Sequence, residues 1–363
     1  MFEIDNHSNW SAGVYPGWGK NKEYQFTLVV KQTFIFDQNG SLQPAYNTEP
    51  VQVTDEYYGE PHSSSLKSAN EIAPFKKGAE ILLTGTVYPH KRNATATEAG
   101  ISISGEQLKW EKAITVFGKR TWKKGFGGYK PTPPEILEPT AIKYEHAYGG
   151  KNEQIDDDLE PRNPAGTGFV TKKLIKRMFE NTAKKQIRED PEGMELPRIE
   201  LSHQLIKTPK DKPAPAGFGP IPGFWSPREE LSEGIDEEAA TLGTCFYKDD
   251  MAEEYFNCAP QDQQLSSTFS GEIMISLQNL TQETIENNVI NIKLTLDEPE
   301  LWSKEKDDER QLSPVCDTIL INTDEQQISL IWRVGIERDR DDDIPAWLYV
   351  IDPKIEDEEA MAS

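Results

Sequence analysis

Apolar and polar positions alternate with a period of two toward both ends of the chain, and this pattern predicts strands. Tyr24, Phe26, Leu28 and Val30 share one face of a run that extends to Phe36. Asp37-Gln38-Asn39-Gly40 follows as a turn, and Asn-Gly is the strongest short hairpin cue. Glu80–Val87 reads as a buried strand, Ile101 and Ile103 alternate with serines, and Lys112–Phe117 is a further short strand. The first 150 residues therefore predict an antiparallel β unit. Near the other end, Ile273, Ile275 and Leu277 alternate, as do Ile290, Ile292, Leu294 and Leu296. Thr318–Ile321 and Ile328–Val334 form the clearest hairpin, turned at Asn322-Thr323-Asp324-Glu325.

Between these ends the period changes. Val170, Leu174, Ile175, Met178 and Phe179 recur at helical spacing, which predicts one amphipathic helix over Phe169–Arg188. Its other face is basic, and reads either as an ordinary solvated face or as a docking face for acidic segments. Pro213–Gln263 has no period. Prolines fix φ and remove amide donors, so its opening is neither helix interior nor central strand. The aromatics Phe218, Phe224 and Trp225 need a surface to cover, so the stretch is expected to be ordered, with all three largely buried. The expected fold is mainly β, with antiparallel sheets in a sandwich or barrel, long irregular connections and that one helix. The expected divisions are a β region over 1–155, the helix and Pro/Gly-rich segment over 156–265, and a β region with an acidic tail over 266–363.

The 363 residues carry a net charge of −23. Phosphate binding needs a basic surface, so nucleic acid and anionic membrane surfaces are not expected partners. The charge reads as a solubility device or as an acidic face for a basic partner. Three cysteines, Cys245, Cys258 and Cys316, form no CxxC pair, which suggests a reducing compartment. The start lacks a signal-peptide pattern and no apolar run approaches the roughly 20 residues of a membrane span. A cytoplasmic protein is expected.

Candidate chemistry is sparse. Gly125-Phe126-Gly127-Gly128-Tyr129 lacks the Lys-Ser/Thr of a phosphate loop, and Asp156-Asp157-Asp158 lacks the spacing of a calcium loop. His7, His62, His90, His146 and His203 form no HExxH or HxH pattern, and there is no Gly-x-Ser-x-Gly elbow. Cys258 has no cationic sequence neighbour to lower its pKa, so it reads as a small buried hydrophobe. No cofactor and no catalytic residue are assigned.

Ordered motifs carry a family resemblance. They are Gly78–Gly85, Phe117–Trp122, Tyr144-Glu145-His146-Ala147-Tyr148-Gly149-Gly150, Arg162-Asn163-Pro164–Phe169, Leu196–Glu200, Pro213-Ala214-Pro215-Ala216-Gly217-Phe218-Gly219-Pro220, Trp225-Ser226-Pro227-Arg228, Ala259-Pro260-Gln261-Asp262-Gln263 and Asp317-Thr318. Together, over about Tyr24–Val334, they resemble the bacterial domain-of-unknown-function family 2169. The resemblance implies a cytoplasmic, non-catalytic adaptor or chaperone of the type VI secretion system. Such a protein loads a toxic effector onto the VgrG–PAAR spike. Its expected partners are the effector and spike components. The motif residues marked for attention are Tyr144, Glu145, Gly149, Gly150, Asn163, Pro164, Pro215, Gly217, Phe218, Gly219, Trp225, Arg228, Pro260, Asp262 and Gln263, with the partner surface unassigned. The chain departs from the pattern at Arg198-Ile199 and at Gly243-Thr244-Cys245-Phe246. The alternative is a hydrolytic or carbohydrate-active enzyme on a β scaffold. A metal or nucleophile cluster in one pocket favours that alternative, and a broad, dry, apolar groove favours the adaptor.

Overall fold

A computed structural model describes residues 2–46, 48–151, 158–170, 191–282, 288–306, 308–338 and 346–354. The helix expected over Phe169–Arg188 lies almost wholly outside the described residues. The rest is mainly β, with several antiparallel sheets and no closed barrel among the described residues. A seven-stranded sheet runs in the order Gln264–Leu265, Ala79–Thr84, Val315–Asn322, Gln327–Glu337, Tyr24–Phe36, Ser11–Trp18, with Leu42–Pro44 also paired to Tyr24–Phe36. A five-stranded sheet runs Ile199–Leu201, Lys109–Phe117, Ala96–Gly105, Gly271–Gln278, Val289–Leu296. A four-stranded sheet runs Phe2–His7, Ala346–Ile351, Glu300–Glu305, Asp308–Leu312.

Both ends of the chain build the same sheets. Ala79–Thr84 lies between two strands from the C-terminal third, and Ala96–Gly105 pairs with Gly271–Gln278. The pairing of Ala79–Thr84 with Val315–Asn322 is parallel, as is that of Phe2–His7 with Ala346–Ile351. These depart from a purely antiparallel plan. A parallel neighbour needs a long crossover, and strands so far apart in sequence supply one.

Alternation sets the faces. Leu28, Val30, Ile81, Leu83, Ile319 and Leu330 point from the large sheet into one apolar core, which they share with Ile103, Ile114, Ile275 and Ile292 of the five-stranded sheet. Leu348 and Val350 extend that core to the third sheet. The hairpin at Asp37–Gly40 forms as the sequence predicts. Asp37 Oδ1 accepts the amides of Asn39 and Ser41, and Gly40 takes the positive φ of 81° that favours glycine. The second hairpin pairs Ile321 with Ile328 across the Asn322–Gln327 turn. Its Ile328–Val334 segment is central in the sheet, paired on both sides.

Candidate functional site

Several of the family-like motifs converge on one buried latch that pins the central stretch across the sheets. Gly217 passes so close to Tyr144 that a β-carbon there would sit 2.8 Å from the Tyr144 ring. The Tyr144 hydroxyl donates to the Gly219 carbonyl at 3.0 Å, and its ring meets Trp225 edge-on at 5.8 Å. Asn163 donates through Nδ2 to the carbonyls of Tyr144 (2.7 Å) and Tyr148 (3.1 Å). Gly149 lies where any side chain would collide with Asn163, and Gly150 takes a φ of +106° while donating to the Asn163 carbonyl at 2.8 Å. Glu145 accepts the Ser65 amide at 2.9 Å and the Ser65 hydroxyl, which itself accepts the Tyr144 amide.

The other half of the latch reaches the core. The Phe218 carbonyl accepts the Leu83 amide at 3.0 Å and Gln263 Nε2 at 2.9 Å, so the segment extends the hydrogen bonding of the Ala79–Thr84 strand. Gln263 also donates to the Ile81 carbonyl at 2.7 Å. Lys112, buried among these groups, donates to Asp262 at 2.8 Å and Gln263 at 2.6 Å, and lies over the Phe218 ring. Burial pulls the Lys112 pKa below the usual lysine value, and Asp262 offsets only part of that. Arg228 donates to the Ile221 carbonyl at 2.5 Å. Pro215, Pro164 and Pro260 are half-buried at the margins, Pro260 opening the Gln261–Gln263 turn. Phe218 and Trp225 are fully buried as expected, but Phe224 is 38 % exposed. It stacks on Tyr57 and meets His62 at a tilt at the surface rather than entering the core. The departure at Gly243 has a structural role. Gly243 ends a short helix, Glu237–Leu242, in a left-handed conformation, and Asp236 caps its start through the Ala239 amide.

A second constellation lies on the opposite face of the large sheet. There the alternating positions Lys31, Glu80, Thr318 and Arg333 point away from the apolar core, and Glu71 and Lys76 descend from the segment above. Arg333 Nε donates to Asp317 at 2.6 Å, and its Nη1 donates to the carbonyls of Glu71 and Ala73. Lys31 pairs with Glu71 at 2.8 Å. Lys76 pairs with Glu80 and donates to Thr318 Oγ1 at 3.1 Å. The other Glu80 oxygen accepts the amides of Cys258 (2.8 Å) and Ala259 (2.9 Å).

Burial opposes ionisation of Glu80, yet Lys76 and these donors hold its carboxyl below the usual range. Burial likewise opposes the Lys76 charge, and Glu80 outweighs it, so that pKa is raised. Burial, with Glu80 beside it, pushes the Cys258 thiol up to about 12, so the thiol form prevails at neutral pH. A cavity of about 520 Å³ opens over this layer, lined by Lys31, Glu71, Lys76, Leu82, Leu320 and Arg333 among others. It is mixed in polarity and is not a dry apolar groove. Among the described residues no group of three His, Cys, Asp or Glu is placed to hold a metal ion.

Of this charged layer, Glu80 and Asp317-Thr318 fall within the sequence motifs, while Lys31, Glu71, Lys76 and Arg333 fall in none of them. The available signal was a lone charge inside an apolar run, as with Glu80 between Ala79 and Ile81 and Arg333 between Trp332 and Val334.

No curated protein and no solved structure matches the chain. A family model described as an uncharacterized protein conserved in bacteria, DUF2169, matches residues 21–333, which span the latch and the charged layer. The chain belongs to the DUF2169 family.

Proposed function

We propose that the protein is a non-catalytic adaptor or chaperone that binds a type VI secretion effector and helps load it onto the VgrG–PAAR spike. The resemblance carried by the ordered motifs supports the association with that system. The observation that carries the non-catalytic part is where the shared polar side chains spend their hydrogen bonds. Tyr144, Glu145, Asn163 and Gln263 bond to backbone or neighbouring side chains within the latch, and Glu80 accepts from Lys76, Cys258 and Ala259. A general base or nucleophile needs a lone pair free for substrate. Such groups are structural holders, and the work of the protein falls to its surface.

The test is a deletion strain of the source bacterium. The proposal expects one effector to vanish from the secreted fraction while spike components are still exported. Continued secretion of every effector overturns it.

A further inference from the structure

We infer that the outer edge of the Phe2–His7 strand is a docking edge for an extended segment of a partner that alternates basic and apolar side chains. This rests on the adaptor reading only for who the partner is.

An unpaired edge is a template for another strand, and folded proteins usually blunt it. The other edges of the three sheets are blunted. Ser11–Trp18 carries Pro16 and two glycines. Gln264–Leu265 and Ile199–Leu201 are too short. Val289–Leu296 is met by the Asp37–Ser41 turn, whose Gly40 backbone lies against the Asn291 carbonyl. Asp308–Leu312 exposes only charged and amide side chains. Phe2–His7 is six residues long and carries apolar Phe2 and Ile4 alternating with its acids. It pairs with Ala346–Ile351 on one side only, and no other described backbone group bonds to it. Alternate amides and carbonyls along about 20 Å of strand therefore face outward.

The side chains beside that edge specify the occupant. On one face Glu3 stands in register with Trp347, itself 38 % exposed, and Asp5 stands in register with Tyr349 and lies 3.1 Å from His7 Nε2. On the other face Phe2 packs on Phe26, and Ile4 is 36 % exposed. An added strand would place every second side chain beside Glu3 and Asp5, where lysine or arginine fits, with Trp347 offering its ring to the same cation. The intervening side chains would lie beside Phe2 and Ile4, where apolar groups fit. A second copy of this chain is disfavoured as the occupant in its two simplest registers. An antiparallel copy centred on Ile4 sets Glu3 against Asp5 twice, and a parallel copy sets each acid against itself, and like charges directly opposite are destabilising. The net charge of −23 favours the same basic partner.

The test uses the full chain with two eight-residue probes, one alternating valine and lysine, the other valine and glutamate. Binding is read by fluorescence anisotropy and located by amide hydrogen exchange. The expected result is at least tenfold tighter binding of the valine–lysine probe, with slowed exchange in Phe2–His7. Glu3→Lys with Asp5→Lys inverts the preference at an unchanged melting temperature. Ile4→Pro abolishes binding of both probes; should that variant unfold, the charge reversal still decides. Equal binding of the probes, protection elsewhere, or dimerisation through this edge overturns the inference. In the source bacterium, normal effector secretion by the charge-reversed protein sinks the edge as the effector's docking site while leaving the adaptor reading intact. Secretion of every effector by the deletion strain sinks the adaptor reading and leaves the probe result standing.

Discussion

The large sheet buries both of its faces, in opposite ways. One face packs Leu28, Val30, Ile81, Leu83 and Leu330 into the common apolar core. The other buries Lys31, Glu80, Asp317 and Arg333 just as deeply, each against a counter-charge. Equal burial thus rests on different physics. The apolar face is non-directional and gains roughly in proportion to area. The charged face must first overcome desolvation, and it holds only while each partner is present and aligned.

Single truncations set the two faces side by side. Phe218→Ala, which leaves a void where the central stretch enters the core, is expected to cost about 3–5 kcal/mol in urea unfolding, and Trp225→Ala the same. Arg333→Met is expected to cost a similar amount although it keeps an apolar stem, because Asp317 is left buried and unpaired. A near-neutral Arg333→Met would show that water reaches this layer and that it is not interior.

Acid separates the faces further. The Glu80 pKa is lower in the folded chain than in the unfolded one, so its contribution is present above the ordinary carboxylate value of about 4.3 and is lost as pH falls through the folded value. The protein is expected to lose stability on that acid limb, and Glu80→Gln to flatten the limb. The Phe218→Ala deficit should stay constant across it, because no proton is bound or released at that site. A smaller effect comes from the cysteines. Cys258 and Cys316 are buried and their thiols raised by burial, whereas Cys245 is half-exposed. Alkylation followed by mass spectrometry is expected to mark Cys245 in the native protein and the other two only on unfolding. The smallest effect lies on the solvent side of the five-stranded sheet, where Lys293 and Glu272 pair at 2.7 Å with both side chains more than half exposed. Lys293→Ala should cost under about 1 kcal/mol, less in high salt.

The apolar face was legible in the sequence because alternation is a local signal. Ile290 to Leu296 announces its strand, its facing and its burial within seven residues. The charged face is assembled from Lys31, Glu71, Lys76, Glu80, Asp317 and Arg333, which lie up to about 300 positions apart in the chain. In isolation each looks like a solvent-facing residue of a half-buried strand, and only the segment folded over the sheet makes it interior. The central stretch shows both limits. Its prolines and glycines announced an ordered, non-repetitive path, and Phe218 and Trp225 are buried. Phe224 follows Gly223 at a surface turn, where composition could not say which way the ring faces. The partner edge was not legible at all, since it depends on which strand ends up outermost.

The most direct test of the claim that the charged layer holds the fold, and takes no part in chemistry, replaces the buried pair together. Asp317→Leu with Arg333→Met is measured by urea unfolding beside each single variant, and then by effector secretion in a strain whose deletion stops it. The double variant is expected to recover most of the stability that Arg333→Met loses, because no uncompensated charge remains, and to secrete the effector normally. A double variant that folds as stably as the parent yet fails to secrete the effector would contradict the account, since those charges would then be working in function.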